Sequence, residues 1–300
     1  MRRRRRPDLF RPDRGLQARM VLAAVSTPLI VLACAAAIVA LAPLKIVGAF
    51  AIAAAIGIGG TITERRNRPP VQPVLPAQAP ELHAIVDRLC VLADVPKPEI
   101  VIEPEAQPNS WLVGLSRQRA RLHVTRGLLD LLTPTELEAV VGHELAHLVN
   151  RDAAVMTAVG GPGAVLLAGG KRMLRGGGFW FVGLGGVVAT GVGRVSLFGT
   201  QVLSRDRELA ADAGSAALTG RPAALASALR RISGQLRLIP EEDLRVAACR
   251  DVFHLLAVEE EGEGWAGRLG ATHPPLERRI ARLERMEQAL QSARLARPPS

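Results

Sequence analysis

The residues of this sequence best suited to chemistry are two histidines and a glutamate that lie close together. His143 and His147 are four positions apart, so on a helix both imidazoles project from one face and can bind the same metal ion. Glu144 is offset from that face by one position, where its carboxylate can contact a water on the ion without becoming a ligand. This H-E-x-x-H spacing predicts a zinc site that can activate water.

A helix with a well-defined start must carry this motif. The segment Thr133-Pro134-Thr135-Glu136 has the pattern of a capping box, in which the first threonine caps the helix and the glutamate reaches back to it. The residues flanking the motif supply an apolar face: Leu137, Val140, Val141 and Leu148. The alternative, two surface histidines on an amphipathic helix, does not account for this capped and apolar context.

A catalytic zinc needs a third protein ligand and a fourth position for water. The candidate ligand is Glu208, on a helix predicted over 201–218, and Asp212 lies one turn further along the same face. Asp212 could accept the remaining ring N–H of a histidine ligand and so fix its orientation. The residues alone leave a second interpretation open, in which Glu208 pairs with Arg205 on a solvated face.

The composition excludes several classes of protein. Of 300 residues, 48% are hydrophobic and 22% are charged, so the two kinds must be segregated along the chain, and a disordered protein is excluded. The cysteines are too few and too widely spaced for a disulfide framework or a cysteine-based zinc site (Cys34, Cys90 and Cys249). The net charge is +10, mostly from arginine. Because Arg2–Arg6 directly precede an apolar segment, we expect them to contact anionic lipid, and we expect no nucleic-acid partner.

The longest uncharged segments predict a membrane protein. Met20–Leu44 and Ile46–Thr63 are each long enough to cross a bilayer, with a turn at Pro43 and Lys45 between them. Arginines flank both outer ends of this predicted hairpin, so both ends should face the cytoplasm. Ala153–Gly170 and Gly176–Gly193 predict a second spanning hairpin connected through 171–175, and a re-entrant hairpin packed against the protein is the alternative.

The remaining sequence predicts a mainly α fold with a small antiparallel β-sheet (α+β), in a zincin-like catalytic domain. Strands are expected over 99–103, 111–115 and 121–125, and helices over 201–218, 222–236, 241–257 and 275–293. We divide the chain into a basic segment with a two-helix membrane hairpin (1–64), a first catalytic part with the zinc helix (65–152), the second apolar hairpin (153–204) and a helical second catalytic part (205–300).

Several motifs, in order, resemble one protein family. The zinc motif is followed by Asn150-Arg151-Asp152, then by Arg205-x-x-Glu208-x-x-Ala211-Asp212, and later by Thr272-His273-Pro274-Pro275. Together with the run Val124–Leu129 before the zinc helix, they resemble the HtpX-type integral-membrane zinc metalloproteases, which are related to CAAX prenyl proteases. The resemblance covers nearly the whole chain.

The resemblance implies one zinc ion per chain, with His143, His147 and Glu208 as ligands and Glu144 as the catalytic base. It also implies that His273 helps to stabilise the oxyanion, for which the alternative is a surface histidine at a helix start. The resemblance further implies a multi-pass protein of the inner or plasma membrane with endopeptidase activity. Its expected substrates are membrane or misfolded proteins, cleaved at the cytoplasmic face in quality control and the stress response. No pattern indicates an oligomeric state.

Two departures from the family pattern concern the substrate. The strand written N-A-F-A-T-G in the family reads N-S-W-L-V-G over 109–114, and Leu209 stands where an aromatic residue is common. If substrate backbone pairs with this strand, Asn109 belongs to the substrate-binding strand and its side-chain pockets differ. The alternative functions are a CAAX-prenyl-protease-like peptidase, which usually has more spans, and a non-enzymatic membrane-anchored zinc protein, which would not need Glu144.

Overall fold

The described part of the chain is mainly helical, with one small sheet. The computed structural model describes residues 44–67, 72–114, 116–176, 180–236 and 274–295, together with scattered positions between 18 and 40. The helices are α1 (Leu44–Asn67), α2 (Pro80–Ala93), α3 (Arg126–Leu131), α4 (Pro134–Asn150), α5 (Asp152–Gly176), α6 (Trp180–Thr219), α7 (Pro222–Leu236) and α8 (Leu276–Leu295). The strands are β1 (Glu99–Glu103), β2 (Ser110–Val113) and β3 (Arg121–Thr125).

The sheet is mixed, with strand order β1-β3-β2. β2 and β3 pair antiparallel, with Ser110 opposite Val124, whereas β1 and β3 pair parallel, with Glu99 opposite Arg121. The predicted antiparallel sheet is therefore wrong in this detail. Successive strands alternate in direction, so inserting β3 between β1 and β2 brings two strands of the same direction side by side.

The zinc helix α4 has the predicted start and a tight end. The Thr133 N–H donates to Glu136 Oε2 at 2.9 Å, and the Glu136 N–H donates back to Thr133 Oγ1 at 3.4 Å, which completes the capping box. At the other end Arg151 adopts the left-handed conformation, with φ of 57°, and its N–H donates to the carbonyls of His147 and Leu148. The turn ends α4 and places Asp152 at the start of the next helix.

The described residues form two compact units. One contains the described residues of 72–154, 205–236 and 274–295, and the other contains those of 18–67 and 155–204. The core of the first unit packs α4 against α2, α7 and the inner face of the sheet. Each of these elements contributes fully buried aliphatic side chains, among them Val86, Leu89, Leu122, Leu145, Leu225 and Leu229. Burial of this apolar surface holds the zinc helix in place from both sides.

In the second unit, close approach between helices depends on glycine. A Cβ on Gly169 of α5 would lie 1.7 Å from the carbonyl oxygen of Ala53 in α1, and one on Gly57 would lie 2.1 Å from the carbonyl oxygen of Val165. Small residues of this kind let helix backbones pack closely within a bilayer. Asp152–Gly176 is long and apolar enough to cross a membrane, judged by length and composition, and Val47–Gly60 and Trp180–Ser196 are shorter apolar stretches.

Most of the predicted elements lie where the sequence indicated, with a few corrections. The predicted fold class, mainly α with a small sheet, is confirmed. The segment 171–175, predicted as a connection, forms the last turns of α5, and the helix predicted from 201 begins at Trp180. In the first segment the reason is local, because lysine, arginine, methionine and leucine are good helix formers and their charge does not end a helix. The helix predicted over 241–257 and most of the first predicted span lie outside the described residues.

Candidate metal centre and active site

The imidazoles of His143 and His147 face each other from successive turns of α4. Their Nε2 atoms lie 3.1 Å apart, and each ring's Nδ1 faces a carboxylate. His143 Nδ1 is 3.1 Å from Asp212 Oδ1, and His147 Nδ1 is 2.6 Å from Asp152 Oδ2. A carboxylate at Nδ1 holds the ring proton there and directs the Nε2 lone pair toward the other histidine.

Glu208 completes the group from α6. Its two carboxylate oxygens lie 3.5 Å from His143 Nε2 and 3.5 Å from His147 Nε2, and the residue is buried. One ligand atom from each of these three residues lies within 4.8 Å of the others. Asp212 follows Glu208 by one turn, which places it against His143. Two turns of α6 therefore supply both a candidate ligand and the group that orients a second one.

A fully buried arginine neutralises part of this carboxylate cluster. Arg279 of α8 donates from Nε to Asp212 Oδ2 at 2.9 Å and from Nη2 to Asp212 Oδ1 at 2.7 Å, and its Nη1 lies 3.2 Å from Glu208 Oε2. Burial acts to raise the pKa of Asp212, but Arg279 and His143 outweigh burial and lower it to about 2. The carboxylate of Asp212 thus stays charged while it is buried.

The electrostatics of His143 point to a cation at this place. Burial acts to lower the pKa of His143, but the neighbouring carboxylates of Asp212 and Glu208 outweigh burial and raise the pKa to about 9. The carboxylates that favour a proton on this ring favour a divalent cation in the proton's place for the same reason. The pKa of Arg279 is likewise raised, because the Asp212 and Glu208 carboxylates outweigh its burial.

The donor set fits a tetrahedral zinc ion. Metal–ligand lengths of about 2.0–2.1 Å place tetrahedral ligands about 3.3–3.4 Å apart, and the two Nε2 atoms here are 3.1 Å apart. Each Nε2 lies 3.5 Å from a different oxygen of Glu208, and one ligand atom from each of the three residues lies within 4.8 Å of the others. Charge also fits, because four carboxylates surround the site against two guanidinium groups, and one divalent cation balances the difference. These charged groups are Glu144, Asp152, Glu208, Asp212, Arg207 and Arg279.

Glu144, the predicted base, is buried one residue from His143. Its Oε1 accepts a hydrogen bond from Ser110 Oγ of β2 at 2.9 Å. Both side chains are nearly inaccessible, with 4% of Glu144 and 1% of Ser110 exposed. One carboxylate oxygen is thus engaged by the sheet, which leaves the other oxygen for a reacting water.

The substrate-strand prediction falls on β2, an outer strand of the sheet. Asn109 directly precedes β2, and its backbone N–H and carbonyl both bond to Thr125 of β3. Among the described residues, no strand pairs with the other edge of β2. A small cavity next to the end of this strand and His147 has Gly114, Arg117 and Arg151 among its lining residues. At the end of β2, Gly114 has φ of 141°, a backbone conformation that favours glycine.

The structure brings together most of the predicted site residues and adds others. His143, Glu144, His147, Glu208 and Asp212 meet in one cluster, whereas His273 lies outside the described residues. Sequence reasoning did not anticipate the contacts of Ser110, Arg207 or Arg279. The motif Thr272–Pro275 directly before α8 was the available signal for Arg279, but nothing in it distinguishes this arginine from its neighbours.

The family match and the sequence relatives of this chain agree with each other. The model of peptidase family M48 matches residues 76–287. The chain is 42% identical to protease HtpX homolog 2 of Methanosarcina acetivorans over 71% of this chain and 75% of the relative. It is 35% identical to protease HtpX homolog 1 of Streptomyces coelicolor over 95% of this chain and 97% of the relative. The crystal structure of S. mikatae Ste24p superposes with a TM-score of 0.43 at 18% identity, over 66% of this chain and 49% of that one.

Proposed function

The chain belongs to peptidase family M48 and is an HtpX-type membrane metalloprotease, and from that membership we propose that it is a zinc-dependent endopeptidase of membrane or misfolded proteins. The observation that carries the proposal is the convergence of His143, His147 and Glu208, with ligand atoms within 4.8 Å of one another beside the buried Glu144. We assign one zinc ion to these three residues. Asp212 and Asp152 orient the two imidazoles from behind.

The roles of the other residues follow from their positions. A zinc ion supplies a Lewis acid that acidifies water and stabilises negative charge on a carbonyl oxygen. Glu144 accepts the proton of the attacking water and donates it to the leaving amine as the peptide bond breaks. Arg279 keeps Asp212 ionised, so that Asp212 holds the Nδ1 proton of His143 while the reaction proceeds. His273 is proposed, by resemblance, to donate to the oxyanion.

Substrate backbone is proposed to pair with β2. The strand is short and lies next to α4, and its other edge has no partner strand in the described part of the chain. An extended peptide added to that edge would run past the histidine pair, with backbone hydrogen bonds giving affinity and side-chain pockets giving selectivity. Asn109 supports this use because its two backbone bonds to Thr125 fix the start of the strand.

We propose that the catalytic parts (65–152 and 205–300) face the cytoplasm and that 1–64 and 153–204 anchor the chain by several passes through the inner or plasma membrane. The apolar helix Asp152–Gly176 and the uncharged run Met20–Leu44 support membrane anchoring. The arginine clusters at 2–6 and 65–68 support the orientation, since basic residues remain on the cytoplasmic side.

Replacing the base tests the proposal. Purified wild-type protein in detergent should cleave casein in a zinc-dependent, phenanthroline-sensitive manner, and Glu144→Gln should retain zinc but lose at least about 100-fold in rate. Glu138→Gln is the matched control, because Glu138 lies on the same helix but forms an ion pair with Arg88 at 2.9 Å away from the metal cluster. The proposal fails if Glu144→Gln cleaves at the rate of wild type or of Glu138→Gln.

A further inference from the structure

Ser110 joins the outer strand of the sheet to the candidate catalytic base. Its hydroxyl donates to Glu144 Oε1 at 2.9 Å, and both residues are buried. A hydroxyl donating to a carboxylate is a charge-assisted hydrogen bond, about twice as strong as one between neutral groups. A bond of this kind, made in a site with little solvent, restricts how the carboxylate can rotate.

The register of the sheet sets the direction of this hydroxyl. Ser110 stands opposite Val124, and Leu112 stands opposite Leu122 on the same face, which packs into the core. Because side chains alternate along a strand, Ser110 must point to that inner face, toward α4. β2–β3 pairing therefore places the Ser110 side chain on the face next to α4, within hydrogen-bond distance of Glu144.

We propose that Ser110 is a positioning residue, which holds one oxygen of Glu144 so that the other faces the attacking water. This role rests on the proposed function. It predicts that losing the hydroxyl lowers kcat and leaves KM unchanged, because Ser110 is buried and does not face the outer edge of β2 where substrate would pair. It also deepens the proposal, since the strand that receives substrate and the group that moves the proton are physically connected.

The loss of catalytic rate without the Ser110 hydroxyl should be moderate. Glu144 remains on the same helix without the hydroxyl, next to the candidate ligand His143. General-base catalysis as a whole contributes about 10²–10⁴-fold. Loss of one orienting bond should therefore remove only part of it, and we expect kcat to fall about 3–10-fold in Ser110→Ala.

The experiment compares three variants of the full-length protein with bound zinc. Ser110→Ala removes the hydroxyl, Ser110→Thr keeps it, and Ser227→Ala is the matched control because Ser227 Oγ donates to Glu136 Oε1 at 2.6 Å on the same helix. We expect kcat on a fluorogenic peptide to fall in Ser110→Ala alone, with zinc content unchanged and at least half of the rate retained in Ser110→Thr. An unchanged kcat in Ser110→Ala would overturn the role, and so would equal losses in Ser110→Ala and Ser110→Thr.

A second readout does not depend on activity. In the zinc-free protein, Ser110→Ala, Glu144→Ala and the double variant form a cycle of unfolding temperatures. We expect the unfolding temperature of the double variant to fall by less than the sum of the decreases in the two single variants, because both single substitutions remove the same contact. Additive losses would overturn the contact and with it the role. A wild-type protein with zinc but without proteolysis would instead refute the proposed function, and the role of Ser110 would fall with it.

Discussion

Arg279 offers a quantitative test of how the candidate metal centre is held together. The guanidinium is fully buried and makes a bidentate pair with Asp212 at 2.9 and 2.7 Å, with Glu208 at 3.2 Å. Replacing it with methionine would leave the buried carboxylates of Asp212 and Glu208 without their guanidinium partner, and the His143 imidazole would compensate them only in part. Breaking a buried ion pair by removing one partner costs about 3–5 kcal/mol, so we expect Arg279→Met to lower the free energy of unfolding by about that amount.

A neighbouring arginine provides the control. Arg282 lies one turn further along α8 and donates a single hydrogen bond to the carbonyl of Leu209 at 2.9 Å. Arg282→Met should lower the free energy of unfolding by about 1.5–3 kcal/mol, the typical range for one hydrogen bond that involves a charged group. Arg279→Lys should fall between the two variants, because it keeps the charge but loses the bidentate geometry.

Urea unfolding of the purified, zinc-free protein in detergent measures these differences. Adding zinc should reduce the difference in unfolding free energy between wild type and Arg279→Met, because a bound divalent cation compensates part of the buried carboxylate charge that the arginine no longer neutralises. The reasoning is refuted if Arg279→Met destabilises the zinc-free protein no more than Arg282→Met does.

Three further predictions concern other parts of the molecule. Asp212→Asn should weaken zinc binding about 10–100-fold in a chelator competition assay, and an unchanged affinity would remove Asp212 from the site. Gly169→Val should lower the free energy of unfolding by about 1–3 kcal/mol, because its Cβ would lie 1.7 Å from Ala53 O. Gly191→Val, whose Cβ would meet no atom within 4 Å among the described residues, should lower it much less, and similar losses in both variants would contradict the packing. Burial raises the pKa of the Cys90 thiol from 9.0 to about 11, so the unfolded chain ionises first and folded stability should decline between pH 9 and 11. Cys90→Ala should show a smaller decline in urea titrations at pH 8 and pH 10.5, and an identical decline would show that Cys90 does not contribute.

Local patterns were sufficient to predict the parts of the fold that depend on neighbouring residues. The capping box at Thr133 and the apolar face of α4 involve residues three or four positions apart, so their bonds follow from spacing alone. The bounds of β1 and β3 match the predicted strands for the same reason, because alternation and flanking turns are local signals. Pairing between strands depends on residues that are distant in sequence, and neither the β1 nor the β3 sequence contains a pattern that predicts their parallel pairing.

The site residues likewise include some that local spacing predicts and some that it does not. Spacing identified His143, Glu144 and His147, and a family pattern was needed to choose Glu208 over its ion-pair alternative. Arg279 lies 67 positions from Asp212, and the chain contains 38 basic residues, so no composition or period could single it out. A buried arginine is recognisable only when the carboxylates around it are known.

The most direct test of the account is X-ray absorption at the zinc edge of the purified protein loaded with one equivalent of zinc. The account predicts about four nitrogen and oxygen ligands at about 2.0–2.1 Å, with outer-shell scattering from two imidazoles that drops to one in His147→Ala. Sulfur near about 2.3 Å, or a zinc environment without imidazole, would contradict it.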